Sequence, residues 1–212
     1  LHVGSRWRIK HGATTGWVNV TGFTSTTIVT ATVNVTLGAT TATADWWESS
    51  WSDYRGWPAA VTTYQQRLVF GGTAYQPDYI WMSQTGDYQN FAEGTALDNE
   101  ACMFQVSALT DIKWLSGQKA LVAGGSEAVV ALDGGSDSIM APANPPIARR
   151  TAFGCSGVAP VPVHNGLIFA QRSGTVLREH TFNYESDAYA AADLTALSDH
   201  ILGDGVVQLD YE

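Results

Sequence analysis

The chain has 212 residues, 45% hydrophobic and 15% charged, the latter well under the roughly 25% of an average soluble domain. That length buries a real core in one large all-β domain or two small ones, and 11% aromatic residues exclude a disordered chain. A net charge of −9 with three lysines argues against a face that grips nucleic acid, and no apolar run is long enough to cross a membrane.

The first twelve residues, "LHVGSRWRIKHG", have neither the apolar core nor the cleavage site of a signal peptide. They do not begin with Met, which points to a processed piece, a fragment or an incomplete chain. From Ala13 to Ala44 no residue is charged and threonine is abundant. "IVTATVNVTL" sets Val29, Ala31, Val33, Val35 and Leu37 on one face and Thr30, Thr32, Asn34 and Thr36 on the other. Such strict alternation predicts a half-buried strand. "GWVNVTGF" alternates similarly, so a hairpin is expected, with Gly-Phe-Thr-Ser-Thr as its turn. Long uncharged strands resist edge-to-edge association poorly. Either other strands cover this hairpin or it packs in an assembly. The triplets beginning at Asn19 and Asn34 match the glycosylation pattern, as chance allows in so Thr-rich a segment.

At "TADWWESSW" acidic residues return and the pattern breaks. A boundary there gives a β-rich segment over 1–50, part of a larger β domain, and a second domain over 51–212. In the second, a two-strand pattern recurs: "RLVFGGTAYQPDYIWMS" from Arg67, "KALVAGGSEAVVALDGG" from Lys119 and "NGLIFAQRSGTVLREHTF" from Asn165. A period of about 40 to 50 residues is that of propeller blades. "DIKWL" and "VAPVPV" supply further blade strands. Three units are too few to close a typical propeller, so the blades are incomplete or close in some other way. Near the C-terminus "AADLTALSDHILGDG" predicts one short helix on the rim, capped by Asp193, with Leu194, Leu197, Ile201 and Leu202 at helical spacing and Gly203 as its end. The fold class is therefore all-β: a small hairpin-rich domain, then propeller-like blades with one short helix.

Catalytic signals are sparse. His2, His11, His164, His180 and His200 are scattered without metal-ligand spacing, and neither C-x-x-C nor H-E-x-x-H occurs, so no metal or cofactor is expected. The Gly-Gly pairs at 71–72, 124–125 and 134–135 lack the Lys-Ser/Thr of a phosphate loop and read as turns. Ser156 in "GCSG" does not form a nucleophile elbow. Asp53 with Asp87, or Asp78 with Glu93, are candidate glycosidase pairs, though twenty acidic residues make some proximity commonplace. Of eight tryptophans, Trp81 reads as core, while Trp46, Trp47 and Trp57 near turns are the surface candidates. Cys102 and Cys155 either pair or stay free; buried thiols are the expectation.

"WSDYRGWPAAVTTYQQRLVFGGTAYQPDYIWMSQTGDYQNF" resembles the signature of the nozzle proteins of short-tailed bacteriophages, also called tail tubular protein B, and of related phage stabilisation proteins. The likeness continues through "IKWL", "ALVAGGSEAVV", "APANPPIARRTAFG", "PVPVHNGLIFAQRSGTVLRE" and "YESDAYAAADLTALSDHI", and so covers residues from Trp51 onward and, more weakly, the hairpin before it. It implies a β-rich viral structural protein with a propeller-like domain, forming a hexameric ring around the DNA exit channel of the virion tail. It also implies contacts with neighbouring tail proteins such as the adaptor and fibres. The genome would pass through the lumen without sequence-specific binding, and no catalytic residue is implied. Family members are several times longer, which leaves open a fragment, a shortened relative or one piece of a split protein.

Within that stretch Trp51, Asp53, Gly56, Trp57, Pro58, Gln65, Gln66, Arg67, Gly71 and Gly72 form a structural signature, read as a joint. Trp51, Asp53 and the Gly56-Trp57-Pro58 turn would pin the way into the first blade. Gln65, Gln66 and Arg67 carry many donors for bridging backbone groups between strands. Two other functions compete with the tail component: a glycan-binding or glycan-cleaving tail module, and a β-propeller interaction module of a cellular protein.

Overall fold

The computed structural model describes residues 2–94, 97–134, 139–164, 166–185 and 188–211. Asn165, at the start of the third repeat, and Gly135 lie outside the described residues. The protein is nearly all β. Backbone contacts divide it into two compact units, Leu1–Pro58 with Thr73–Gln76 and Ala59–Gly72 with Pro77–Glu212. Residues 51–58 thus belong with the N-terminal sheet, and the division falls after Pro58.

The first unit holds one antiparallel sheet of β1 (Arg6–His11), β2 (Thr14–Ser25), β3 (Ile28–Val35) and β4 (Trp46–Glu48), in the order β3-β2-β1-β4. β2 alternates as its sequence dictates: Gly16, Val18 and Val20 are buried, and Trp17, Asn19 and Thr21 point to the other face. The hairpin turn lies at Thr26 and Thr27, at the very end of the Gly-Phe-Thr-Ser-Thr expected. Register shifts around Thr21 and Thr24 absorb that segment into β2 as bulges. The half-burial expected for Val29, Ala31, Val33 and Val35 is not found, because β3 is exposed at all of its positions. β3 is the outermost strand, and alternation says that two faces differ, not that one of them is covered.

Three four-stranded sheets make up the second unit, each an antiparallel run of consecutive strands. The first is β5 (Ala60–Tyr64), β6 (Arg67–Gly71), β7 (Tyr79–Met82) and β8 (Cys102–Gln105). The second is β9 (Trp114–Gly117), β10 (Leu121–Gly124), β11 (Val129–Asp133) and β12 (Ile147–Arg150). The third is β13 (Val161–Val163), β14 (Gly166–Ala170), β15 (Leu177–Asn183) and β16 (Ala188–Asp193). The three repeat cores fall at β6, β10 and β14, the second strand of each sheet. "DIKWL" and "VAPVPV" lead into β9 and β13, the first strands of theirs. The sheets are blade-like, as the repeat predicts.

The two inner strands of the middle sheet, β10 and β11, are buried on both faces. Leu121, Ala123, Val130 and Leu132 join a core with Ala60, Val69, Ile80 and Met82 of the first sheet. Val122 and Val129, on the opposite side, meet Leu167 and Phe169 of the third sheet around Trp114 and Cys155. This explains why "LVAG" and "VVAL" are apolar without alternation: a strand covered on two sides has no polar face. Cys102 and Cys155 are free thiols, one in each core, and burial pushes them up to about 11 and about 12.

The C-terminal helix shrinks to a single 3-10 turn, Asp199–Leu202. Ala191, Ala192 and Asp193 instead finish β16, paired with His180, Glu179 and Arg178 of β15. The Asp193 carboxylate accepts from the backbone N–H of Thr195, but as a local turn rather than a helix cap. Leu194, Leu197 and Ile201 are exposed, Leu197 fully so, and their helical spacing therefore has no core face behind it. Spacing without a surface to bury on does not make a helix.

Candidate functional site

The ten signature residues fall in both units. In the first, Trp51 is half-buried and Ser52 pairs with Gly56 across a tight turn, the Gly56 N–H donating to the Ser52 carbonyl at 2.7 Å. Gly56 has φ +85°, and a Cβ there would stand 3.0 Å from the backbone nitrogen of Ala74. That combination admits only glycine. The exposed Trp57 indole donates to Asp53 at 3.1 Å, and Pro58 ends the unit. Arg55, between them, ion-pairs with Glu48 and lies 4.2 Å over the ring of Tyr75. Burial pushes the Glu48 carboxyl up, but hydrogen bonds from Arg55 and His2 outweigh it and hold it below the usual carboxylate range.

In the second unit Gln65 and Gln66 are the two central residues of the β5–β6 hairpin, with φ +49° and +58°. Tyr64 pairs with Arg67 on either side, so the loop is of the type I′ kind that Asn-Gly usually fills. Gln65 Oε1 accepts from the N–H of Met140 at 3.1 Å, and the Gln66 carbonyl accepts from the N–H of Gly86 at 2.9 Å. Arg67 is 1% exposed. Its guanidinium donates to three backbone carbonyls, those of Ser83 (2.8 Å), Asp98 and Glu100. One planar fork with five donors thereby fixes both ends of the segment between β7 and β8. Gly71 ends β6, and Gly72 follows at φ +60°, where a Cβ would meet the Ile112 carbonyl at 2.8 Å.

Two structural contacts carry no sequence signal. The Asp111 carboxylate accepts from the N–H and hydroxyl of Ser126, both at 2.7 Å. Burial raises its pKa, and those two bonds more than reverse it. His180 is buried within β15 and stacked on Tyr189 at 4.6 Å, and burial lowers its pKa to about 4. The ring is therefore neutral at pH 7, and its Nε2 has no hydrogen-bond partner among the described residues.

The proposed carboxylates are engaged locally. Asp78 accepts from Gln105 at 2.8 Å, and Asp87 accepts from the N–H of Gln89 at 3.3 Å. Glu93 sits instead beside an open hollow of about 260 Å³ lined by Ala101, Cys102 and Phe104. A second hollow, about 270 Å³, lies in the first unit among Ile9, His11, Leu37 and Trp46. Both fall below the roughly 300 Å³ at which small-molecule sites begin. Among the described residues no three His, Cys, Asp or Glu side chains gather as a metal would need. No helix is long and apolar enough to cross a membrane among the described residues.

Trp81 is core, while Trp46, Trp47 and Trp57 are exposed. Trp47 is tied down: the Arg8 guanidinium lies between it and Trp17, 4.7 and 5.7 Å from their rings, across β4, β1 and β2. Charge is unevenly shared. The first unit carries four Lys and Arg against three acidic residues, and the second seven against seventeen. Comparison of the sequence with models of known families and with curated proteins finds no match.

Proposed function

We propose that this chain is a structural subunit of a bacteriophage tail of the nozzle kind, joined with its copies in a hexameric ring around the DNA exit channel. The ring seals the tail and lets the genome pass during ejection, beside neighbouring tail proteins such as the adaptor and fibres. One observation carries the reading: the residues that carry the resemblance fold into three consecutive four-stranded, blade-like sheets. Three sheets fall short of the four to eight that close a propeller. Contacts with other copies or with further chain would complete the enclosure.

The charge of the second unit supports a conduit, since seventeen acidic residues against seven basic ones keep phosphate from sticking. No catalytic residue is needed for this role, and Arg67, Asp111 and His180 are all spent on internal contacts. Electron microscopy of the purified protein and of the particle tests the reading. A six-fold ring coaxial with the portal is expected; discrete monomers, or density elsewhere in the particle, would overturn it. A glycan-binding tail module is the second reading, favoured by Trp46 and Trp57, each 54% exposed. Its signature is retention on a glycan array that Trp57→Ala abolishes.

A further inference from the structure

The outer edge of the N-terminal sheet has no role in the function proposed above. β3 is exposed at every position, and among the described residues no strand pairs with its outer side. One row of backbone N–H and C=O groups therefore faces away from β2, the arrangement that invites another strand. Ile28, Val29, Val33 and Val35 are 57%, 53%, 54% and 49% exposed. Proteins usually blunt such an edge with Lys, Pro or inward-pointing charge. None of these occurs from Ala13 to Ala44. The register shift that adds a residue to β3 falls at Asn34, so Ile28–Val33 is an uninterrupted strand.

The sequence of the edge names its partner. Val29-Thr30-Ala31-Thr32-Val33 reads identically in both directions. An antiparallel strand of the same sequence, placed by a two-fold axis at Ala31, sets Val29 against Val33, Thr30 against Thr32 and Ala31 against itself. β-branched pairs and threonine pairs of this kind are favourable cross-strand neighbours. Nothing on the edge repels its own copy, although the chain as a whole is acidic. We propose that β3 is a strand-addition site whose occupant is β3 of a second copy of this chain, paired antiparallel about Ala31. Two four-stranded sheets then become one of eight strands. This contact lies outside the ring of the conduit reading, because a ring around a channel repeats a head-to-tail contact whereas a two-fold joins like to like, so it would link copies of different rings.

Ala31→Cys provides the test on the full chain. Facing residues of an antiparallel pair lie about 4.5–5.5 Å apart at Cα, within disulfide reach. The two native thiols are buried and serve as silent controls. Mild oxidation is expected to give a covalent dimer whose linked peptide, by mass spectrometry, joins residue 31 to residue 31. In sedimentation, the unmodified chain is expected to dimerise, and T30K/T32K to weaken the dimer by about tenfold or more, through like charges brought face to face. At concentrations where both are monomeric that variant should melt as the parent does, since both side chains are exposed. A chain that stays monomeric, a dimer indifferent to T30K/T32K, or a 31–31 link that T30K/T32K leaves undiminished overturns the proposal. A six-fold ring lacking the 31–31 link sinks this inference alone, and a linked dimer that builds no ring sinks the conduit alone.

Discussion

β3 and the β10–β11 pair are opposite answers to one question, namely what lies on either side of a strand. β3 has the cleaner amphipathic pattern and is exposed along its whole length. β10 and β11 have no alternation, and every residue but Asp133 is buried. Periodicity reports a difference between two faces; burial is decided by neighbours. The middle sheet has a sheet before it and one after it in the chain, and both close on it. Among the described residues β3 has a neighbouring strand, β2, on one side only.

That contrast can be broken by mutation, most severely at the second unit's inner fork. Arg67→Ala leaves one buried and two part-buried carbonyls without their donor and should cost about 2–4 kcal/mol in urea denaturation. A loss under about 1 kcal/mol would mean that the segment between β7 and β8 finds other donors. Leu121→Ala, in the doubly covered sheet, should cost about 3 kcal/mol, whereas Val33→Ala on β3 should stay within about 0.5 kcal/mol at concentrations where the chain is monomeric. Equal losses would mean that cover on both faces adds nothing to a strand's hold on the fold.

Acid sharpens it further. His180 has a pKa of about 4 in the fold against 6.5 ordinarily, so between those values the unfolded chain takes up the extra proton. Stability is complete above about pH 6.5 and falls toward pH 4, by up to about 3 kcal/mol. His180→Phe should flatten that slope in melts run across the window. The smallest effect is a gain: Gln66→Gly relieves a left-handed glutamine at the type I′ turn and should add about 0.5–1 kcal/mol, read as a higher midpoint in urea.

Much of this was legible in the sequence. The spacing of "RLVFGG", "KALVAGG" and "NGLIFAQ" marks one apolar strand of each repeated unit, and the fold makes it the second of four. Trp81 could be placed in the core because it sits within a short apolar strand. The 191–203 segment misled, since leucines at helical spacing carry no information on whether a surface awaits them. Asp111 with Ser126 was invisible because the two meet through loops, with no pattern linking them. Arg67 stood out as a donor-rich position, but its three carbonyl partners are scattered over residues that the chain brings together only on folding.

The path of the backbone between the units has a practical consequence. The chain leaves the first unit at Pro58, returns for Thr73–Gln76 and leaves again, so the β5–β6 hairpin is spliced into it. Tyr75, beneath Arg55, and Ala74, against Gly56, both come from that returning piece. Neither unit is a contiguous cassette. Moving the first unit onto another scaffold involves three junctions, after Pro58, Gly72 and Gln76, and a single-junction chimera cut after Pro58 would leave Arg55 without the ring of Tyr75.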